Sequence, residues 1–187
     1  MGRIDAVITD FDGTLVNTFM ANYFAYKIVF KNHGINLTQE QYKECFGLRF
    51  DGLCDKLNVP KEIRDDIKKE KKESYPKFFS WLELNESLMK FIAYSKAIGI
   101  KTCIASTASK ENLYNVLNHF GIKEYFDVII TGEDVKFGKP HSEVYDKALE
   151  LLNVNKDSAI VFEDSDIGCL AAYNAGINYI DVNKLNK

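Results

Sequence analysis

Histidine and cysteine are scarce in this chain, with three and four residues among 187. The histidines are scattered, with no pair at ligand spacing, and Cys45, Cys54, Cys103 and Cys169 form no CxxC motif. A zinc site is therefore not expected, and the thiols read as reduced, mostly packing residues. Long apolar runs are also missing. None approaches the ~18 residues of a membrane span, so no membrane partner is expected. Positive charge is not in excess: 24 Lys and Arg against 27 Asp and Glu give a formal charge of −3. That leaves no electrostatic footprint for nucleic acid. No repeat or low-complexity segment is visible. The apolar run beginning at Ile4 argues against a signal peptide, and a cytoplasmic location is expected.

What is present is a core-forming composition, 46% hydrophobic. A chain of this length can bury roughly 70% of its unfolded surface, enough for one good core with a small appended domain. From about Glu86 onward helix and strand patterns alternate. Helices are predicted over 87–98, 109–120, 142–152 and 165–175, with Ser109 as a cap and Gly99, Gly121 and Gly176 as stops. Strands are predicted over 4–9, 101–105, 128–130, 159–162 and 179–182. Such alternation predicts an α/β fold, a parallel sheet with helices on both faces. Residues 16–80 carry helical patterns only: an apolar stretch over 19–30, a capping box from Thr38 to Gln41, a short piece at 53–57 and a charged helix over 60–75. The run Lys68 to Glu73 alternates with acids and reads as a solvated face.

Chemistry concentrates in four places. Asp10-Phe11-Asp12-Gly13-Thr14 follows the first strand, so its acids fall at a strand's carboxyl end, where open α/β sheets place ligands. Alone, two such acids could simply form an Asx turn. Ser106-Thr107 follows the strand ending at Ala105. Its hydroxyl can donate to an anion, with the Thr107 and Ala108 N–H groups as a nest, or it can cap the next helix. Lys139-Pro140 lies in a loop, as a site cation or a surface lysine. Glu163-Asp164-Ser165 follows the strand 159–162, as metal ligands or as acids favouring a helix N-terminus.

Taken together and in order, these motifs resemble those of the haloacid dehalogenase superfamily of phosphohydrolases. Phe162-Glu163-Asp164-Ser165, Gly168, Ala171-Ala172 and Ala175-Gly176 are similar to the branch holding β-phosphoglucomutases and phosphoglycolate-type phosphatases. The resemblance covers nearly the whole chain. It implies a Rossmann-like catalytic core at 1–15 and 81–187, with residues 16–80 inserted as a four-helix cap. It implies Asp10 as nucleophile, Asp12 as general acid and base, and Ser106 and Lys139 as catalytic groups. An all-oxygen site suits Mg²⁺, with carboxylates from Asp10 and Asp164; the resemblance adds the Asp12 carbonyl and Glu163 as a direct or water-mediated ligand. Thr14, Arg49, Ser106, Thr107, Ala108 and Lys139 are the expected substrate-binding set.

The implied activity is hydrolysis of small phosphorylated metabolites through an aspartyl-phosphate, by a monomer or weak dimer. A phosphosugar mutase is the alternative. Thr18 and Arg49 match features of the mutases. Asn22 stands where those enzymes carry a histidine, Thr14 is the residue more usual in phosphatases, and Leu84-Asn85-Glu86 replaces a Pro-Gly. Arg49 could reach a second anionic group or form a salt bridge within the cap.

Overall fold

A computed structural model describes residues 3–184. The chain divides into two compact units, residues 18–83 and residues 1–17 with 84–187. It runs β1 (Ala6–Thr9), α1 (Phe19–Asn32), α2 (Gln39–Lys43), α3 (Phe50–Lys56), α4 (Arg64–Ser74), α5 (Glu86–Ala97), β2 (Lys101–Ala105), α6 (Lys110–Phe120), β3 (Val128–Ile130), α7 (Glu143–Leu152), β4 (Ala159–Glu163), α8 (Asp166–Asn174) and β5 (Asn178–Asp181).

These five strands form one parallel sheet in the order β3-β2-β1-β4-β5, and two further two-residue strands occur at Val16–Asn17, where only helical patterns are expected, and at Glu83–Leu84. Every residue of β1 is buried, as a strand covered on both faces requires. Side chains alternate between faces. Ala6 and Ile8, Cys103 and Ala105, and Ala159 and Val161 join one core cluster with Val144 and Ala148 of α7 and Ala171 and Ala172 of α8. Phe162 meets Phe91 of α5, ring centroids 5.5 Å apart, so α5 lies on the other face. The fold is thus the expected α/β, Rossmann-like sheet with helices on both faces.

Punctuation follows the local chemistry. Gly99, Gly121 and Gly176 take positive φ just beyond their helices. Ser165 caps α8 by accepting from the Gly168 N–H at 3.1 Å. Ser109 occupies the cap position of α6 but makes no side-chain capping bond. Glu133 takes that role, accepting from the Lys110 N–H at 2.6 Å. Asn85, in place of a Pro-Gly entry, caps α5 at the Leu88 N–H (3.1 Å) and donates to the Thr14 carbonyl (3.1 Å). The last strand is shifted one residue earlier than predicted and ends in a short 3₁₀ turn, Val182–Lys184.

The helical unit has its own core, centred on Tyr23, Phe30, Tyr42, Leu53, Cys54 and Ile67. Thr38 and Gln41 form the reciprocal capping box at 3.2 and 2.9 Å. The charged helix begins as a 3₁₀ turn, Lys61–Ile63, ahead of α4. Its polar face is not wholly solvated: Lys71 is buried. Its ammonium donates to Asn22 Oδ1 at 2.7 Å and lies 3.9 Å from the Tyr75 ring centroid. Aromatic faces and an amide carbonyl satisfy the cation there. Among the described residues no helix is long and apolar enough to cross a membrane.

Candidate active site

The site grows out of the carboxyl ends of β1, β2 and β4. Asp10 follows β1 directly, and its N–H extends the parallel ladder by donating to the Phe162 carbonyl at 2.9 Å. Ser106 does the same after β2, donating its N–H to the Ile130 carbonyl at 3.0 Å. Asp10 and Ser106 are both buried. Backbone hydrogen bonds thus fix where two of the expected residues stand, before any side-chain contact is made.

Asp10, Glu163 and Asp164 come together, each offering a carboxylate oxygen within 4.8 Å of the others. Lys139 enters from its loop and bridges two of them, with Nζ 2.6 Å from Asp10 Oδ1 and 2.5 Å from Glu163 Oε1. The lysine side chain is only 5% exposed. Burial opposes its charge, but Asp10, Tyr145 and Glu163 outweigh that and hold its pKa well above the ordinary lysine value. Asp10 is pushed up by burial, with Lys139 pulling down and Glu163 and Asp164 pushing up. Asp164 is pushed up to about 6, by burial first, with the Thr14 hydrogen bond opposing and Glu163 adding to the rise.

Glu163 and Asp164 are neighbours in sequence but not in role. Glu163 is fully buried. Its Oε1 accepts from Lys139 and from the Tyr145 hydroxyl at 2.7 Å. Its Oε2 accepts from the Asp164 N–H (3.1 Å), the Ser165 N–H (3.3 Å) and the Ser165 hydroxyl (3.1 Å). Asp164 receives the Thr14 hydroxyl at 2.7 Å, and its backbone carbonyl accepts from Asn183 Nδ2 at 2.6 Å. Two glycines make room. A Cβ on Gly13, whose φ is +94°, would collide with Asp164 Oδ2, and one on Gly168 would collide with the Glu163 carboxyl.

Asp12 sits in the turn after β1, bridging to Val16, where the Gly13 N–H donates to the Val16 carbonyl at 2.8 Å. The Ser106 hydroxyl accepts from the Ala108 N–H at 3.0 Å, closing a tight loop over Thr107. Gly132 pins that loop, its N–H donating to the Ala108 carbonyl at 2.8 Å. Arg49 belongs to the helical unit and precedes α3. Tyr145, Asn183 and Asn85 complete the supports and were not among the expected residues. A tyrosine in the apolar stripe of a helix is the one available signal, since a buried hydroxyl demands a partner.

Three carboxylates, those of Asp10 and Glu163 buried and that of Asp164 half-buried, form an all-oxygen cluster with the Lys139 ammonium beside it. That donor set and charge fit a hard divalent cation. The arrangement can bind a phosphoryl group against Lys139 and present a carboxylate to it.

The haloacid dehalogenase-like hydrolase family profile matches residues 7–182. The phosphorylated carbohydrates phosphatase of Thermotoga maritima is 32% identical over 181 residues, spanning 95% of this chain and 84% of that protein. Among solved structures, a CbbY variant from Rhodobacter sphaeroides in complex with xylulose-(1,5)bisphosphate superposes with a TM-score of 0.86 at 29% identity, over 95% of this chain and 85% of that one. A β-phosphoglucomutase from Clostridium difficile gives 0.81 at 27% identity, over 95% and 84%. With the family profile spanning residues 7–182 and all four motifs, the chain belongs to the haloacid dehalogenase-like hydrolases and is a phosphoric monoester hydrolase.

Proposed function

We propose that this phosphatase is Mg²⁺-dependent, acts on small sugar or hydroxy-acid phosphates and works through an aspartyl-phosphate on Asp10. One observation carries the reading: a buried lysine bridges the acid that ends β1 and the acid that ends β4, with a third carboxylate beside them. Asp10 and Asp164, with the Asp12 carbonyl, would hold the metal. Bound there, Mg²⁺ supplies positive charge that offsets repulsion between a carboxylate nucleophile and an anionic phosphate. Glu163, whose oxygens are committed to five donors, holds Lys139 and supports the metal indirectly.

The steps then follow from this chain's own groups. Lys139 neutralises phosphoryl oxygens, and the Ser106 hydroxyl with the Thr107 and Ala108 backbone orients them. A carboxylate oxygen of Asp10 attacks phosphorus in line, and the ester P–O bond breaks. Asp12 gives its proton to the departing alkoxide. The same carboxylate next takes a proton from water, whose oxygen attacks phosphorus and returns Asp10 with inorganic phosphate. Thr14 orients Asp164. Residues 16–80 are the proposed cap.

A panel of phosphorylated sugars, phosphoglycolate and nucleotides, assayed with Mg²⁺ and in metal-free buffer with EDTA, tests the reading. Undiminished hydrolysis in EDTA would sink the metal assignment. The mutase reading has a specific argument against it. Asn22, at the position where the mutases carry histidine, is an amide accepting from Lys71, and an amide does not titrate near neutral pH. Phosphorus NMR with β-glucose 1-phosphate should therefore show free phosphate ahead of glucose 6-phosphate. The reverse order would make it a mutase.

A further inference from the structure

Lys139 sits in the irregular stretch between β3 and α7, on a flexible four-carbon stem, yet its ammonium must hold one position between Asp10 and Glu163. Such precision has to come from the backbone beneath it. Glu143, the first residue of α7, turns back over that stretch. Its Oε1 accepts from the Lys136 N–H at 2.9 Å and its Oε2 from the Phe137 N–H at 2.7 Å. Both hydrogen bonds are charge-assisted, and together they fix the orientation of consecutive peptides just ahead of Gly138-Lys139. On the far side, Asn174 at the end of α8 donates to the Pro140 carbonyl at 3.0 Å. His141 accepts from the Glu143 N–H through Nδ1 at 3.1 Å, so loop and helix cap each other.

We propose that Glu143 is a positioning residue for phosphoryl transfer: its carboxylate clamps the loop that carries Lys139 and thereby aims the ammonium. The inference rests on the reading of Lys139 given above. A lysine displaced by about 1 Å costs on the order of 10- to 100-fold in rate. The clamp's hydrogen bonds run to the loop backbone ahead of Lys139, so its loss should lower kcat through the lysine.

The test measures p-nitrophenyl phosphate hydrolysis at saturating MgCl₂ for Glu143→Ala, Glu143→Gln, Lys139→Met and the double variant Glu143→Ala/Lys139→Met. Glu143→Ala should lose about 10- to 100-fold in kcat. Glu143→Gln keeps one acceptor oxygen and should fall between Glu143→Ala and wild type, which preserves the measurement if Glu143→Ala does not fold. In the Lys139→Met background, Glu143→Ala should cost less than about twofold further, because its effect runs through the lysine. A purely structural role would give the same factor in both backgrounds and overturn the proposal. A kcat within about twofold of wild type for Glu143→Ala, with turnover reduced in Lys139→Met, overturns it alone. Wild-type turnover in Lys139→Met would overturn the reading of the site itself.

Discussion

Replacing Lys139 by methionine keeps most of the stem's volume and removes the cation that bridges two acids of the cluster. In the native protein the Lys139, Asp10 and Glu163 side chains are 5%, 11% and 0% exposed, so water screens their charges weakly. Without the ammonium, Asp10 and Glu163 must face each other charged or take up protons. Breaking a buried pair in this way costs about 3–5 kcal/mol. For a chain of this size each kcal/mol moves the melting temperature by about 2–4 °C, so the sheet unit should melt roughly 6–20 °C lower. The assay is thermal unfolding of wild type and Lys139→Met in EDTA, then in 10 mM MgCl₂. A cation bound by the acids of the native state but not by the unfolded chain stabilises by mass action, so Mg²⁺ should recover part of the loss. A variant melting within about 1 kcal/mol of wild type in EDTA would refute the charge argument.

Asp10→Asn should abolish turnover of every substrate in the panel while far-UV circular dichroism stays that of wild type, because Lys139 keeps Glu163 as its partner at 2.5 Å. Gly168→Ala should destabilise by about 1–3 kcal/mol in urea melts and lower kcat, since the new methyl occupies the place of the Glu163 carboxyl. All four cysteines are buried, and burial pushes the thiols of Cys54 and Cys169 up to about 11. At pH 8 only about one in a thousand such groups is thiolate, so iodoacetamide should label the native protein slowly, faster as pH rises and at once in denaturant.

The fold was legible where its causes are local. Glycine stops after α5, α6 and α8, the Thr38–Gln41 box and the apolar β-branched runs all act over a few residues, and the parallel sheet follows from their alternation. What escaped was decided by partners distant in sequence. Lys71 lies in a charged run that reads as a solvated face. Its burial depends on Asn22, 49 residues away, and on the Tyr26 and Tyr75 rings. Likewise α6 follows a serine in capping position, yet the bond to Lys110 is made by Glu133, 23 residues beyond that lysine. A capping preference indicates where a helix starts and leaves open which oxygen satisfies it.

The division between Glu163 and Asp164 shows how much of a site can follow from one elementary rule. Successive residues leaving a strand point to opposite sides. Of two adjacent acids ending a buried strand, one must therefore turn inward and the other outward. The inward acid needs compensation at once, and Glu163 finds five donors, from Lys139, Tyr145, Asp164 and Ser165. The outward acid, Asp164, meets the turn after β1, where Gly13 leaves space and Thr14 supplies a hydroxyl. An acid pair at that position thus couples a fixed lysine to a more accessible carboxylate through a single peptide bond. The same economy governs Lys139: its charge is held by β1 and β4, and its backbone by α7 and α8. A buried ion pair needs good geometry and further hydrogen bonds to offset desolvation, and here the carboxyl ends of β1 and β4 place the acids while α7 and α8 hold the lysine's backbone.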